Sequence, residues 1–575
     1  MAEFKKVVIT KDGQALMAKL MSGAGTAEFT KIAVSSTTYS DSQLENLTSL
    51  AGIKQEAEIS KVTRNNNVSV QVEGAISNID VTVGYYMQTL GLYARDPQKG
   101  EILYAVTNAS VAGYMPPFND RTPSGAYFKL VTTIGNADNV TLQVDPAAVA
   151  TIGDIDNLQK QISDIQAYVG YNDEQIVGIE ADLQNRRVTR IAGAVNRTPG
   201  ASFDDIRAFG GRRRCTVADD GEVLGYYGES GYDETGETGQ VMVEQPKFYY
   251  KVVPLKLDKI EDGKGFHMRK ARYYVSDSPK AGFKIHPAFV DENGKIRQYI
   301  YLSAFEGSIF DVSNDTYLKK DEQIADFNAD TLSSIPGAKP ASGLSQSLSR
   351  GNTRKLAQNR GEGWEQAYSA TASLTQLLFI VEYASFNTQD ALGYGVLNRE
   401  SGEGNESEIT GATTSLGNQS GFIMVNDSEV PTFRGEENWY GNIWKWVDGL
   451  NIKPQDIHEL YVATHGFADD TGEAPYENAG FTLAKSNGYV SAFGYTEGFD
   501  WLFFPSETSG NNSVPVGDRF SQNNKSTASW FMAMLGGDWS AGVIGGGFNW
   551  YVYDSSGGSD RTRGGRLVYV PKGGN

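Results

Sequence analysis

The chain has 575 residues, a formal net charge of −19 and a pI near 4.8. That charge disfavours nucleic acid or an anionic membrane as the main partner, and the length admits three or four domains. With 64 glycines, 11% aromatic and only 21% charged residues, the composition fits a β-rich, turn-rich protein and not a disordered one.

A single cysteine, Cys215, excludes an internal disulfide and any multi-cysteine metal site. No segment approaches the ~18 consecutive apolar residues that span a bilayer. The N-terminus MAEFKKVVIT lacks the apolar core of a signal peptide. All eight tryptophans fall between Trp364 and Trp550, and all four histidines lie beyond residue 260. The N-terminal third is therefore expected to be a domain of a different kind.

Residues 1–150 read as a mixed α/β domain. Lys11 to Leu20 opens with a turn and continues as an amphipathic helix. Val68–Val72 and Val140–Val144 alternate as half-buried strands. Residues 151–189 carry a heptad seam: Ile155, Leu158, Ile162, Ile165, Val169, Asn172, Ile176, Ile179 and Leu183 are spaced alternately three and four apart. Isoleucine at both seam positions favours a trimeric coiled coil, with Asn172 setting register; the alternative is a single amphipathic helix packed on a domain. Gly170 and Gly178 each weaken the helix by about 1 kcal/mol. A continuous helix over the seam is a rod of roughly 50 Å.

Residues 190–245 read as a β-rich connector, with a turn at Ala218–Gly221 and a strand at Glu222–Tyr227. Residues 246–575 form a large C-terminal domain. Its main helix is expected from Trp364 to Tyr383, with Leu374, Leu377, Leu378 and Val381 on one face. Thr331–Asn352, rich in Ser, Gly and Pro, reads as a surface loop.

The stretch Leu535–Val570 looks like a frame with inserts. Glycines and apolar residues such as Gly536, Gly537, Trp539, Phe548, Trp550, Gly564 and Leu567 make the frame. Between them, in no regular order, stand Asp538, Ser540, Val543, Asn549, Tyr551, Tyr553, Asp554, Ser559, Asp560 and Thr562. Tyr, Ser and Asn among glycines supply contact area and adaptable hydrogen bonds, so these ten are the candidate binding residues. Tyr551 and Tyr553 are the expected anchors; Trp444, Trp446, Trp539 and Trp550 are assigned to core packing. The simpler alternative is a glycine-rich terminal hairpin.

Catalytic and metal chemistry is weakly signalled. Cys215 follows Arg212–Arg214 with no histidine nearby in sequence. His458, His465, Asp469, Asp470 and Glu473 do not match a zinc spacing, and His286–Pro287 reads as a core or turn residue. None of the 70 acidic residues stands out as a glycosidic carboxylate pair. No cofactor is expected.

Three stretches carry resemblances. Phe4–Leu20 and Tyr86–Asn108 resemble the phage tail-collar fibre family, whose domain attaches a fibre to the tail baseplate. Gly441–Val447, with Leu535–Trp539 and Gly564–Val568 following in order, resembles the formylglycine-generating-enzyme-like branch of the C-type lectin fold. The enzymes of that branch use two active-site cysteines, which this region lacks, so their activity does not carry over. The calcium-dependent sugar motifs of other C-type lectins are absent too. Gly536–Leu567 resembles the variable region of retroelement-diversified proteins of the major-tropism-determinant type, in which a lectin scaffold holds randomised surface residues.

Together these imply a multidomain α+β, β-rich chain: an attachment domain, a trimeric coiled coil, the connector and a lectin-fold receptor-binding domain. The expectation is a non-enzymatic, homotrimeric phage tail fibre, made in the bacterial cytoplasm and placed on the virion tail. Its implied partners are tail baseplate proteins and a bacterial surface receptor, protein or glycan, with no nucleic acid and no membrane insertion. The alternatives are a tail-borne polysaccharide depolymerase and a purely structural tail component.

Overall fold

The computed structural model describes residues 3–22, 28–66, 69–118, 124–133, 152–320, 323–453, 458–511, 516–523 and 530–571. The chain is β-rich and divides into two compact units, 1–161 and 162–575.

The first unit is built on one sheet, with a helix at Lys11–Met21 and a short one at Asp41–Leu44. The sheet order is Glu3–Phe4, Gly100–Met115, Tyr85–Asp96, Glu28–Ser35, Ile53–Asn66, Ser69–Ser77 and Gly125–Thr133, with Val8–Ile9 also paired to 100–115. The expected helix is observed at Lys11–Met21, capped by Thr10, whose hydroxyl accepts from the Gly13 amide at 3.0 Å. Such a cap contributes about 1 kcal/mol. Leu16 and Leu20, one turn apart, bury against Ile32, Leu92 and Tyr104. Position 13 must be glycine because a Cβ there would sit 2.1 Å from the Tyr104 carbonyl oxygen. The expected strand at 68–72 falls within Ser69–Ser77. The one expected at 140–144 lies outside the described residues.

The heptad seam is corrected in its second half. A helix runs from Ile152 to Val169, about 27 Å long. It stops where Gly170 adopts φ +118°, and Asn172 lies exposed beyond the helix. Ile176 and Ile179 belong to a strand, Ile176–Asp182, and Leu183 follows it; all three are buried. β-branched residues bracketing Gly178 pair there with Arg187–Ala192 on one side and Phe266–Ser276 on the other. The three-four spacing persisted through a strand by coincidence. Within the helix, Leu158, Ile162, Ile165 and Val169 are each more than half exposed, whereas Ser163 and Ala167 are buried. The Ile155 side chain is outside the described residues.

In the second unit the main sheet runs Arg187–Ala192, Ile176–Asp182, Phe266–Ser276, Gly488–Tyr495, Arg519–Gln522, Gly546–Asp554, Phe531–Gly536, Trp444–Lys453, Glu459–Val462 and Glu477–Thr482. The helix Ser369–Tyr383 is buried on almost every side against it. Residues 364–366, expected to be helical, form a short strand instead. A six-stranded sheet joins Val223–Tyr226, Arg213–Val217, Gln240–Pro246, Tyr299–Ser303, Leu567–Tyr569 and Trp364–Gln366.

Residues 190–245 are therefore not a separate connector. Ala194, Phe203, Ile206 and Phe209 enter the same core as the 369–383 helix, and strands 213–217 and 240–246 share a sheet with the C-terminal strand. The expected turn closes through the Gly221 amide to the Ala218 carbonyl at 2.9 Å. Thr331–Asn352 is irregular for most of its length, but it is not a surface loop. Leu332, Ile335, Ala338, Ala341 and Leu348 are fully buried, and a helix begins at Arg350. Small Ser, Gly and Pro residues here let the chain thread a packed interior.

His286 is a core residue. Its ring is enclosed by Phe248, Tyr250 and Trp501, and burial pushes its pKa down to about 3. The folded state thus binds this ring neutral, while the unfolded chain protonates it near pH 6.5. The contribution is complete above pH 6.5 and is lost as pH falls towards 3, at a slope of up to ~1.4 kcal/mol per pH unit. Urea midpoints measured from pH 7 to pH 4 should fall more steeply for the parent chain than for His286→Leu. Parallel slopes would remove His286 from the acid response.

Candidate functional site

The strands 444–453, 531–536 and 546–554 are neighbours, and alternation splits their residues between two faces. Val447, Ile452, Phe531, Ala533, Leu535, Trp550 and Val552 point into the main core. Trp444, Trp446, Met532 and Met534 form a second cluster on the opposite face, with Trp530 and Tyr551 packed against it. This opposite face therefore carries an aromatic and methionine layer, the outer layer of the sheet, whose four members are themselves buried, with Trp530 and Tyr551 half-buried at its edge.

Lys445 is the crossing point of the three motif stretches. It pairs with Leu535 on one side and with Gly564 on the other, and the Gly441 amide donates to the Gly536 carbonyl at 3.0 Å. Glycine is required where large groups press on the strand backbone. A Cβ at Gly547 would lie 2.1 Å from the Trp439 ring, and one at Gly546 would lie 2.3 Å from Asp518. Asp518 is itself buried, its carboxyl pushed well up by burial, and it accepts from the Phe548 amide at 2.7 Å. These contacts fix the strand that carries Tyr551 and Tyr553.

On the outer layer the Trp444 and Tyr551 rings lie 5.3 Å apart, and Tyr551 and Tyr553 5.8 Å apart. The Trp444 indole donates to Asp538 at 2.9 Å, and the other oxygen of Asp538 accepts from the Ser540 amide and hydroxyl at 2.7 Å each. Asp554 pairs with Arg563 at 2.8 Å; burial pushes its carboxyl up, and Arg563 opposes that shift. Burial, reinforced by Asp554, pushes the Tyr551 hydroxyl to about 12. Tyr551 is thus a neutral, half-buried ring at any physiological pH. Tyr553, 40% exposed, is the outermost of the three rings.

The ten candidate residues separate into groups. Asp538, Ser540, Tyr551, Tyr553 and Asp554 gather around Trp444 and Arg563. Ser559, Asp560 and Thr562 lie on the following loop. The Ser559 hydroxyl donates to the Gln346 carbonyl at 3.1 Å, Asp560 accepts from the Thr562 hydroxyl at 2.9 Å, and the Trp444 amide donates to the Thr562 carbonyl. Val543 is on a separate 3-10 turn, Gly542–Ile544, and is well exposed. Asn549 is corrected: it is buried, and its amide donates to the Ile544 carbonyl at 2.7 Å, so it serves the frame.

Trp446, Trp539 and Trp550 are fully buried. Trp444 does more than fill space, because its indole orients Asp538 and backs Tyr551. Sequence reasoning missed the far end of the same layer. There Tyr461 and Trp530 meet at 5.4 Å and the Lys453 ammonium stands 5.6 Å from the Trp530 ring. Trp530 immediately precedes strand 531–536, and only strand pairing brings it beside Tyr461, so no local signal marks the pair.

Cys215 is fully buried, and burial pushes its thiol far up. Arg212 pairs with Glu436 at 2.8 Å, Arg213 with Glu244 at 3.2 Å, and Arg214 donates to the Gly435 and Thr413 carbonyls. Asp469 is engaged by Arg350 and Arg354 at 2.5 and 2.7 Å. Among the described residues no cluster of three metal-ligating side chains occurs, and no helix is long and apolar enough to cross a membrane.

In the first unit the two N-terminal motif stretches pair with each other: Phe4 opposes Ala109, Val8 opposes Val106, and strand 85–96 lies beside 100–115. Residues 1–153 match the family described as phage tail-collar fibre protein, N-terminal. No curated protein matches the chain. Solved structures similar to it include the Major Tropism Determinant U1, P3c and M1 variants, at 12%, 13% and 11% identity. Each alignment covers 62% of this chain and 71% of the other, with TM-scores of 0.23, 0.22 and 0.23. The residues that match this family and those of the outer aromatic layer thus belong to different units of one chain.

Proposed function

We propose that this chain is a phage tail-fibre protein that binds a bacterial surface receptor through the outer layer of its C-terminal sheet. The observation that carries the reading is the row of tilted rings Trp444, Tyr551 and Tyr553, flanked by Asp538 and by the Asp554–Arg563 pair, in a chain whose residues 1–153 match the tail-collar fibre family. Rings anchored from below and exposed at the rim supply contact area at low entropic cost, and the flanking charges supply orientation. The tail-collar fibre domain docks the chain to the tail baseplate and so places it on the virion. The second unit takes a C-type lectin fold, supported by the convergence of its three motif stretches at Lys445. Its exposed or half-buried insert positions, from Asp538 to Thr562 without Asn549, suit a retroelement-diversified surface. Labelled full-length protein should bind some strains of a bacterial panel saturably. Failure on the strain that the parent phage infects would refute the reading.

The assembly is a homotrimer held in part by the exposed stripe Leu158, Ile162, Ile165 and Val169, spaced four, three and four. A seam this short does not hold three chains by itself, since isolated helices of such length are marginal. Ile162→Asp with Ile165→Asp, both at exposed positions, should shift sedimentation equilibrium from trimer to monomer with the melting of the second unit unchanged. A trimer that survives both substitutions would remove the helix from the interface. Three sites on one particle also raise avidity through effective concentration.

A further inference from the structure

Two clefts open in the second unit, away from the residues of the outer layer. The larger, about 800 Å3, is lined by Phe310, Val312 and Tyr317 together with Glu237, Asp315 and Thr316. The smaller, about 400 Å3, is lined by Tyr299, Tyr301 and Tyr569 with Glu222 and Arg297. Asp219 lines the first and Asp220 the second, so the turn 218–221 separates them. That turn is clamped from beneath. The Trp364 indole donates to the Asp219 carbonyl at 2.8 Å, Arg360 binds the Asp219 carboxylate at 2.6 Å, and the Tyr569 hydroxyl reaches the Asp220 carbonyl at 3.4 Å. A Cβ at Gly221 would collide with the Tyr569 hydroxyl at 1.8 Å, so the saddle holds one shape.

We propose that these clefts form a second, preformed binding groove for a neutral oligosaccharide. A sugar ring presents apolar C–H faces and a belt of hydroxyl donors. The groove answers with aromatic rings, among them Phe310 and Tyr317 edge to face at 4.8 Å, and with carboxylate acceptors. A volume of this size suits a small ligand, and a rigid site avoids the entropy of ordering on binding. Charge sets the class. Setting aside the Arg360–Asp219 pair, Asp220, Glu222, Glu237 and Asp315 outnumber Arg297 and Lys319. An acidic polysaccharide is therefore repelled. An extended peptide fits less well, because the sheet edge in the larger cleft, Thr316–Leu318, is only three residues long.

The test uses the full-length protein and isothermal titration with neutral hexasaccharides of glucose, mannose and N-acetylglucosamine, and with a hyaluronan hexasaccharide as the acidic arm. At least one neutral hexasaccharide should bind. Affinity should fall at least ~10-fold, the equivalent of about 1.4 kcal/mol, in Val312→Arg and in Asp315→Tyr, both at exposed positions. It should be unchanged in Tyr553→Ala, which separates this groove from the outer layer. No neutral binding at millimolar sugar overturns the proposal. So does binding unaffected by both cleft variants, binding lost in Tyr553→Ala, equal affinity for hyaluronan, or capture of an extended peptide at the 316–318 edge without sugar binding.

Discussion

Replacing Tyr551 and Tyr553 together by alanine is expected to abolish adsorption to the receptor-bearing strain while leaving the oligomer intact. Tyr553 is the outermost ring, and truncating it removes contact area without opening the core. Tyr551 is half-buried between Trp444 and Tyr553, so its loss also removes packing, at about 2 kcal/mol of stability. That cost is small for a unit built on several buried clusters, and circular dichroism should report an unchanged fold. An aromatic anchor at the centre of an interface contributes 2 kcal/mol or more, about 30-fold per site. Multivalent attachment amplifies the loss on the particle. Tyr553→Phe, which keeps the ring, should retain most binding. Normal adsorption by a folded double-alanine variant would move the receptor site elsewhere on the chain.

The second large effect concerns stability. Asp448 is fully buried and accepts from Arg354 at 2.5 and 2.9 Å and from the Gln366 amide at 2.7 Å; Arg350 stands 3.4 Å away. Arg350 and Arg354 are shared with Asp469, whose carboxyl burial raises and the two guanidinium groups hold below the usual carboxylate range. Asp448→Ala leaves two buried guanidinium groups short of an acceptor, and breaking such a pair costs about 3–5 kcal/mol. The effect reaches the outer layer. Asn451 and Arg350 both donate to the Ala468 carbonyl, and the neighbouring Asp470 accepts from the Ser556 hydroxyl on the loop after Tyr553. The urea midpoint of the second unit should drop sharply, and receptor binding should weaken even where the protein remains folded. A change below about 1 kcal/mol would show that other partners satisfy Arg350 and Arg354.

Much of the candidate site was legible because burial and sequence pattern report the same thing. Trp446, Trp539 and Trp550 are large and apolar, so they had to be inside. Glycines between them had to mark close approach, as Gly546 and Gly547 do under Asp518 and Trp439. Tyr551 and Tyr553, two apart on a strand, had to share a face. Asn549 broke the pattern: alternation also puts it on that face, but a backbone carbonyl nearby captured its amide. Trp530 and Tyr461 were out of reach, since only pairing between strands 444–453, 531–536 and 459–462 brings them to one layer.

The sequence by itself determined the β-rich class, the helix at 11–21, the turn at 218–221 and the separate character of the N-terminal domain. Each rests on local signals: periodicity, capping, a glycine turn, or an uneven distribution of tryptophan. Only tertiary structure decided where the helix after residue 152 ends. The spacing of Ile176, Ile179 and Leu183 suits a coiled coil, but pairing with strands 187–192 and 266–276 satisfies their backbone groups and buries their side chains together. It also decided that 190–245 and 331–352 lie inside one unit, because their small and polar residues find partners distant in sequence. Non-local hydrogen bonds and shared burial outweigh local propensity wherever the two compete.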